Sequence, residues 1–358
     1  VSGPVDVVIA VHSPTRPVGR AVASVLEGNR AETRLTVVCH NVAADEIAAV
    51  IDPRHRAAVR LLEHTDPRRS ASGPFNAGMR AAEGEFVSIM GSDDVLQPGA
   101  VRSWLDVAGR TGAETVMCRL RIGSAARPVL TPPVRPWLRG LADPVRDRLS
   151  YRSAPLGLVS QRARERLGLE LVEGMTVGGD VAYVTRLWFE TRVAVDRRGP
   201  AYVIGEDARD RVTLTPRPIA VELAFVRDLL AQPWFAGYHL TARRAVCTKL
   251  TRIHLFGAVW NRRDPAVWTP EDRQALAQTA EDLLARAEGF ERVLSLADRT
   301  LLDAVADPSS DTGAMIRLAE QRRRHGRPAT LLTRSPADLL RVEAPVRLMA
   351  ASALVGLP

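Results

Sequence analysis

Two adjacent carboxylates, Asp93 and Asp94, follow an apolar run of strand length, Phe86-Val87-Ser88-Ile89-Met90. A strand delivers its last side chains to the carboxyl edge of a sheet, where open α/β sheets bind ligands. Side-by-side anions repel unless a cation or hydrogen bonds hold them. Hard oxygen ligands of this kind suit Mg2+ or Mn2+ bridging to a diphosphate. A Ser-Asp-Asp turn that caps the next helix is the other reading of the same residues. A third acid, Asp180, opens the segment Val181-Ala182-Tyr183-Val184-Thr185-Arg186-Leu187-Trp188. The dipole and free amides of a helix start hold a carboxylate ionised. Such a carboxylate can take a proton from a hydroxyl; a plain N-cap is the alternative.

The elements that must position these acids alternate between strand and helix. Residues 5–11 are a short β-branched run ending in His12-Ser13-Pro14, and a helix is expected over 18–26. Further strands are expected at 35–40, 61–64, 86–90, 114–120, 193–196 and 201–205. No Gly-x-Gly-x-x-Gly follows the first strand, which argues against a dinucleotide-binding domain. Asn76-Ala77-Gly78 reads as a helix start whose free amides can face an anion. The proline-rich residues 127–138 read as a surface excursion. From about Ile219 helical periodicity takes over, with helices expected at 219–231, 238–260, 269–287 and 311–324, and residues 346–357 are a weakly polar segment expected to dock on the body. Arg243, Arg244, Lys249 and Arg252 are expected on a solvated helix face.

The chain has 358 residues, long enough for a core domain plus an addition. Its net charge is +8, and arginine far outnumbers lysine. A basic surface can serve nucleic acid, anionic lipid or phosphate-rich polymers. No aromatic-interleaved basic stripe or zinc pattern supports nucleic acid. Cys39, Cys118 and Cys247 are isolated, without metal-ligand spacing or an even disulfide set, which fits a reducing compartment. No stretch approaches a membrane span or a signal peptide. The expected location is the cytoplasm. Residues 346–357 leave open a peripheral contact with the inner face of the membrane.

The block Ser72-Gly73-Pro74-Phe75-Asn76-Ala77-Gly78, then Ala82-Glu83-Gly84-Glu85, the strand, and Gly91-Ser92-Asp93-Asp94 resembles the centre of glycosyltransferase family 2. Gly179-Asp180, with Arg186-Leu187 further on, resembles that family's Glu-Asp element. The resemblance covers roughly residues 5–213. It implies a GT-A fold, the α/β mixed sheet of nucleotide-diphospho-sugar transferases flanked by helices. The expected division is a transferase domain over 1–218 and an all-helical extension over 219–358. The implied reaction is inverting, metal-dependent glycosyl transfer, with Mn2+ or Mg2+ on Asp93 and Asp180 as the base. Donor contacts are implied at His12, Asn41, Arg69, Asn76, Ser92, Asp94, Arg209 and Arg211. The implied partners are a nucleotide-sugar donor, a UDP-sugar foremost, and a polysaccharide or lipid-linked acceptor. A cell-envelope polysaccharide, teichoic-acid-like polymer or glycolipid is the acceptor class expected, and homo-oligomerisation through the extension is left open.

The chain departs from the family at four places. Gly91 stands for the first acid of Asp-Ser-Asp-Asp, Cys39-His40-Asn41 for Asp-Asp-Gly, Phe75 for an arginine, and Gly179 for the glutamate. Three of these changes remove acids. A catalytically degenerate protein that scaffolds envelope assembly is therefore the alternative expectation. A nucleotidyltransferase would carry a Gly- and Arg/Lys-rich loop after the first strand. This chain has His12-Ser13-Pro14-Thr15-Arg16-Pro17 there.

Overall fold

The structure is a computed structural model that describes residues 4–68, 70–206 and 217–355. Its strands are β1 (Val5–Val11), β2 (Thr33–His40), β3 (Val59–His64), β4 (Phe86–Gly91), β5 (Val95–Leu96), β6 (Thr115–Met117), β7 (Leu120–Ile122), β8 (Arg127–Pro128), β9 (Gly157–Ser160), β10 (Val193–Val195) and β11 (Tyr202–Ile204). The main sheet has seven strands in the order β10-β6-β9-β4-β1-β2-β3. Within it β9 runs antiparallel to β4 and β6, and the other pairs are parallel. A mixed sheet of this kind, flanked by helices and followed by a helical region, is the architecture expected from the sequence.

The apolar run of β1 is continuous because the strand is central and covered on both faces. Val7, Ile9 and Val11 join one core with Val22 and Val25 of helix Val18–Gly28 and Trp104 of helix Ala100–Thr111. Val8 points the other way, into a core with Met79, Tyr183 and Trp188. Gly78 lets helix Ser72–Arg80 press on β1: a Cβ there would stand 2.2 Å from Val8 Cγ1.

The strand expected over 114–120 is interrupted at Cys118-Arg119. Its second part belongs to a four-stranded sheet, β5-β11-β7-β8, laid beside the carboxyl edge of β4. The proline-rich excursion supplies β8, an edge strand where a proline lacks only an outward-facing amide.

The helical region has its own core around Leu250, Phe256, Leu283, Leu301 and Met315. Thr269 caps helix Pro270–Arg286 by accepting the Asp272 amide at 3.1 Å. The pattern over 219–231 is broken at Leu223 into Ile219–Glu222 and Ala224–Ala231. The run over 238–260 is helical but not uniform. Leu240–Lys249 is α, Leu250–Leu255 is a π-helix, and Phe256–Trp260 is α again.

The expectation of solvated basic residues on this run fails for two of them. Lys249 is 2% exposed and Arg252 7%. Arg252 Nη1 donates to Tyr151 Oη and to the Glu343 main-chain oxygen, each at 3.0 Å. Arg148 Nη2 donates to the Val342 oxygen at 2.6 Å. The bonds of Arg252 to Tyr151 and of Arg148 to Val342 hold the helical region against the sheet domain. Among the described residues no helix is long and apolar enough to cross a membrane.

Candidate functional site

Beyond β4 the chain turns at once, and Ser92 and Asp93 meet the loop that follows β1. Arg16 Nη2 donates to Asp93 Oδ1 at 2.8 Å, and its Nε donates to Ser92 Oγ at 3.1 Å. Arg20 Nη2 donates to the Asp93 main-chain oxygen at 2.7 Å. Ser92 and Asp93 are both buried. Charge-assisted bonds of this kind are about twice as strong as neutral ones.

Asp94 turns the other way. Its carboxylate accepts from the Tyr202 hydroxyl, from the Gly205 amide at 2.9 Å and from the Gly91 amide at 3.2 Å. Burial pushes the Asp94 carboxyl up, and the bonds from Tyr202 and Gly205 oppose that rise. The sequence expected a donor contact here. The structure makes Asp94 a brace that ties the end of β4 to β11.

The same brace explains the glycine at 91. A Cβ there would stand 2.5 Å from Asp94 Oδ2, so the acid suggested by the resemblance would have to displace the Asp94 carboxylate from its bonds. Gly91→Asp is expected to destabilise the fold by about 1–3 kcal/mol, read as a lower midpoint of thermal unfolding. An unchanged midpoint would remove this reason for the glycine.

At the ends of β2 and β3, Asp66 gathers two imidazoles. His40 Nε2 lies 3.1 Å from its Oδ1 and His64 Nε2 3.0 Å from its Oδ2. The Arg68 amide donates to Oδ1 at 2.8 Å. Burial would raise the Asp66 carboxyl, but the bonds from His40, the Arg68 amide and His64 outweigh it and lower it. Asn41 adopts φ 55, a left-handed conformation that asparagine tolerates. Its Nδ2 donates to the Asp66 oxygen at 2.8 Å and its Oδ1 accepts the Asp66 amide at 3.0 Å. The Asn41 side chain thus bonds backbone across the mouths of β2 and β3.

Asp180 precedes helix Val181–Glu190, yet its side chain makes no capping bond. The plain N-cap reading therefore does not hold. Burial pushes its carboxyl up, and the Lys249 ammonium opposes the rise. Burial likewise pushes the Lys249 amine down to about 8, with Asp180 opposing. Lys249 Nζ lies 2.8 Å from Nε2 of His254. Burial holds His254 well below its ordinary value, so the ring is neutral and its Nε2 accepts. Gly179 allows a close passage here: a Cβ would stand 2.6 Å from both Ser72 Oγ and the Val172 oxygen. A glutamate at 179 does not fit that passage.

Asn76 is not at a helix start. It lies inside helix Ser72–Arg80, 1% exposed. Its Nδ2 donates to the Leu171 oxygen at 2.9 Å and to Glu173 Oε1 at 3.0 Å, while its Oδ1 accepts the Leu171 amide at 2.9 Å. The neighbouring Val172 amide donates to the Gly179 oxygen at 2.8 Å. Asn76 thus fixes the stretch of chain that leads to Gly179 and Asp180.

His12 is exposed at the end of β1, on the same sheet edge as Ser92, Asp93, Asn41 and Asp66. Arg69, Arg209 and Arg211 lie outside the described residues. Sequence reasoning did not single out Arg20, Asp66, Tyr202 or His254, and passed over Arg16 and Lys249. One signal for Lys249 was available: of the 49 lysines and arginines it is the single lysine.

Among the described residues no three His, Cys, Asp or Glu side chains converge as a metal group. Asp93 offers hard carboxylate oxygens, one of them already on Arg16. That donor set fits Mn2+ or Mg2+ whose remaining ligands come from phosphates and water. It does not fit a cation held by protein side chains alone.

A family model described as "Glycosyltransferase like family 2" matches residues 3–136. The succinoglycan biosynthesis protein ExoO of Rhizobium meliloti (strain 1021) is 32% identical over 126 residues, 34% of this chain and 34% of that protein. An uncharacterized glycosyltransferase of Nostoc sp., alr2836, is 25% identical over 118 residues, 33% of this chain and 37% of that one. The chain matches only about a third of the length of these relatives. Residues 1–349 of S. aureus TarS in complex with UDP-GlcNAc superpose with a TM-score of 0.69, covering 90% of this chain and 93% of that one at 13% identity. The same TarS fragment with UDP gives 0.66.

Proposed function

We propose that this chain, whose residues 3–136 match the model described as "Glycosyltransferase like family 2" and whose fold matches that of TarS, is an inverting glycosyltransferase. The donor is a nucleotide-sugar, a UDP-sugar in this reading. The acceptor is a hydroxyl of a cell-envelope polysaccharide, teichoic-acid-like polymer or glycolipid. Support for the acceptor class comes from the name of one relative, a succinoglycan biosynthesis protein, and for the donor from a structural neighbour seen with UDP-GlcNAc. The transferase domain is assigned to residues 1–218 and the helical extension to 219–358, working in the cytoplasm.

The observation that carries the reading is Asp180: a half-buried carboxylate at a helix start, making no cap bond, with its pKa raised by the surrounding protein. A carboxylate raised toward neutrality is a better general base at physiological pH. In this mechanism Asp180 takes the proton of the acceptor hydroxyl as its oxygen attacks the anomeric carbon. The diphosphate departs from the opposite face, so the configuration inverts. Arg16 and Arg20, bonded to Asp93, set positive charge where the leaving group becomes more anionic. Mn2+ or Mg2+, held by Asp93 and the donor phosphates, would add charge neutralisation there.

The ion pair to Arg16 also orders the binding steps. A dication must share Asp93 with a guanidinium, so it needs the donor's phosphates to stay. Mn2+ titrated calorimetrically into the protein alone is expected to give no saturable binding, and to give it once UDP is present. Saturable binding without UDP would refute this order.

A scaffold without catalysis is the competing reading, and the missing acids were its motive. Gly91 and Gly179 each have a packing reason, so their presence does not argue for lost chemistry. Release of UDP from a panel of UDP-sugars with Mn2+ decides between the two. Turnover of one donor supports transfer, and a panel that is neither bound nor hydrolysed sinks it.

A further inference from the structure

We propose that Lys249, a residue of the helical region, is the positioning residue for Asp180: its ammonium holds the base in the ionised form and the extension is thereby part of the catalytic apparatus. This rests on the assignment of Asp180 as the base. Lys249 is 2% exposed, the last residue of helix Leu240–Lys249 where the π-helix begins. π-helical turns cluster at functional sites because they cost regularity to place a side chain. Here the turn brings His254 Nε2 to 2.8 Å from Lys249 Nζ.

The packing leads from this pair back to Asp180. The His254 ring meets Phe225 edge-on at 4.9 Å between centroids. Phe225 fills the space in front of Gly178, where a Cβ would stand 2.3 Å from the ring. Val181 shares one apolar cluster with Phe225 and Leu250. Asp180 lies between Gly178 and Val181 in this wall. This packing gathers the charged and titratable groups Asp180, Lys249 and the neutral His254 into one part of the interior: Lys249 is in hydrogen-bond contact with His254, and the charges of Lys249 and Asp180 act on each other without a direct bond.

The residue type fits the task. Of the 49 basic residues this one is the lysine, and its Nζ lies 2.8 Å from the neutral imidazole of His254. A guanidinium stays charged under all conditions, whereas an amine shifts readily when buried. A buried carboxylate with no counter-charge would take up a proton and cease to be a base. An amine that titrates at about 8 is charged at neutral pH and supplies that counter-charge.

Two experiments test the proposal. Protein labelled with 15N-lysine has a single side-chain amine signal, from Lys249. Its titration is expected near 8 in the wild type and more than one pH unit lower in Asp180→Asn, because the anion that sustains the ammonium is gone. An amine titrating near its ordinary value, or unmoved in Asp180→Asn, overturns the proposal.

The second experiment is the pH profile of donor turnover in Lys249→Met. Without the ammonium the Asp180 carboxyl rises, so its protonation, and the acid limb, move to higher pH. At pH 6 turnover is expected to fall at least tenfold. At pH 9 the wild-type amine is neutral as well, and the two enzymes are expected to converge. An equal loss at both pH values is the mark of a purely structural residue and overturns the proposal. Absence of turnover in the wild type strikes the transferase reading instead, and the amine titration still decides the pairing.

Discussion

Asp180→Asn is expected to lower kcat by about 10²–10⁴-fold, the range for loss of a positioned general base, with UDP affinity unchanged. The amide has the size of the carboxylate but cannot take the acceptor's proton. Its effect on folding is limited by the partner. An ammonium stranded in a buried site is costly, yet Lys249 titrates at about 8 and can shed its proton. The variant therefore remains folded, and calorimetry with UDP confirms an intact donor site. Turnover like the wild type's would remove Asp180 from the mechanism.

Asp93→Ala is expected to weaken UDP binding in Mn2+ by about 10–100-fold, the range seen when a metal site loses supporting groups. The informative comparison is with EDTA. In the wild type Asp93 occupies one arm of the Arg16 guanidinium at 2.8 Å. Removing the carboxylate takes that bond from Arg16, while Arg20, which donates to the Asp93 main-chain oxygen, keeps its own. Affinity in EDTA should then hold or rise, so that the difference between Mn2+ and EDTA vanishes in the variant. Affinity in Mn2+ equal to the wild type's would count against a cation on Asp93. A fall of the same size in EDTA would show that Asp93 serves the arginines alone.

What was legible in the sequence followed from local rules. The strand-turn pattern Phe86–Gly91 then Ser92-Asp93 needs no distant partner, and both side chains lie where a strand end puts them. The helical character beyond Ile219 was legible for the same reason. Asp94 was not, because Tyr202, the hydroxyl that binds it, is 108 residues away. Asn76 misled because Asn-x-Gly reads as a start, while Pro74, in the first turn of helix Ser72–Arg80, marked the true one. Gly91 and Gly179 looked like lost acids and turned out to be close approaches of backbone to Asp94 and Val172. Lys249 and Arg252 were assigned to solvent because long basic side chains are seldom fully buried without partners. What surrounds them is set by distant parts of the chain: Lys249 meets His254 and the charge of Asp180, and Arg252 meets Tyr151 of the sheet domain and Glu343 of the helical region.

The wide turn from Leu250 to Leu255 constrains the length of its helix. Residues five apart on an ordinary α-helix point about 140° away from each other. Lys249 and His254 could not touch there. Deleting one residue between them would tighten the winding and swing the rest of the helix by about 100°. Phe256 and Val259 would leave the interior they fill, and the imidazole would leave the amine. The segment can thus exchange side chains more readily than it can gain or lose a position.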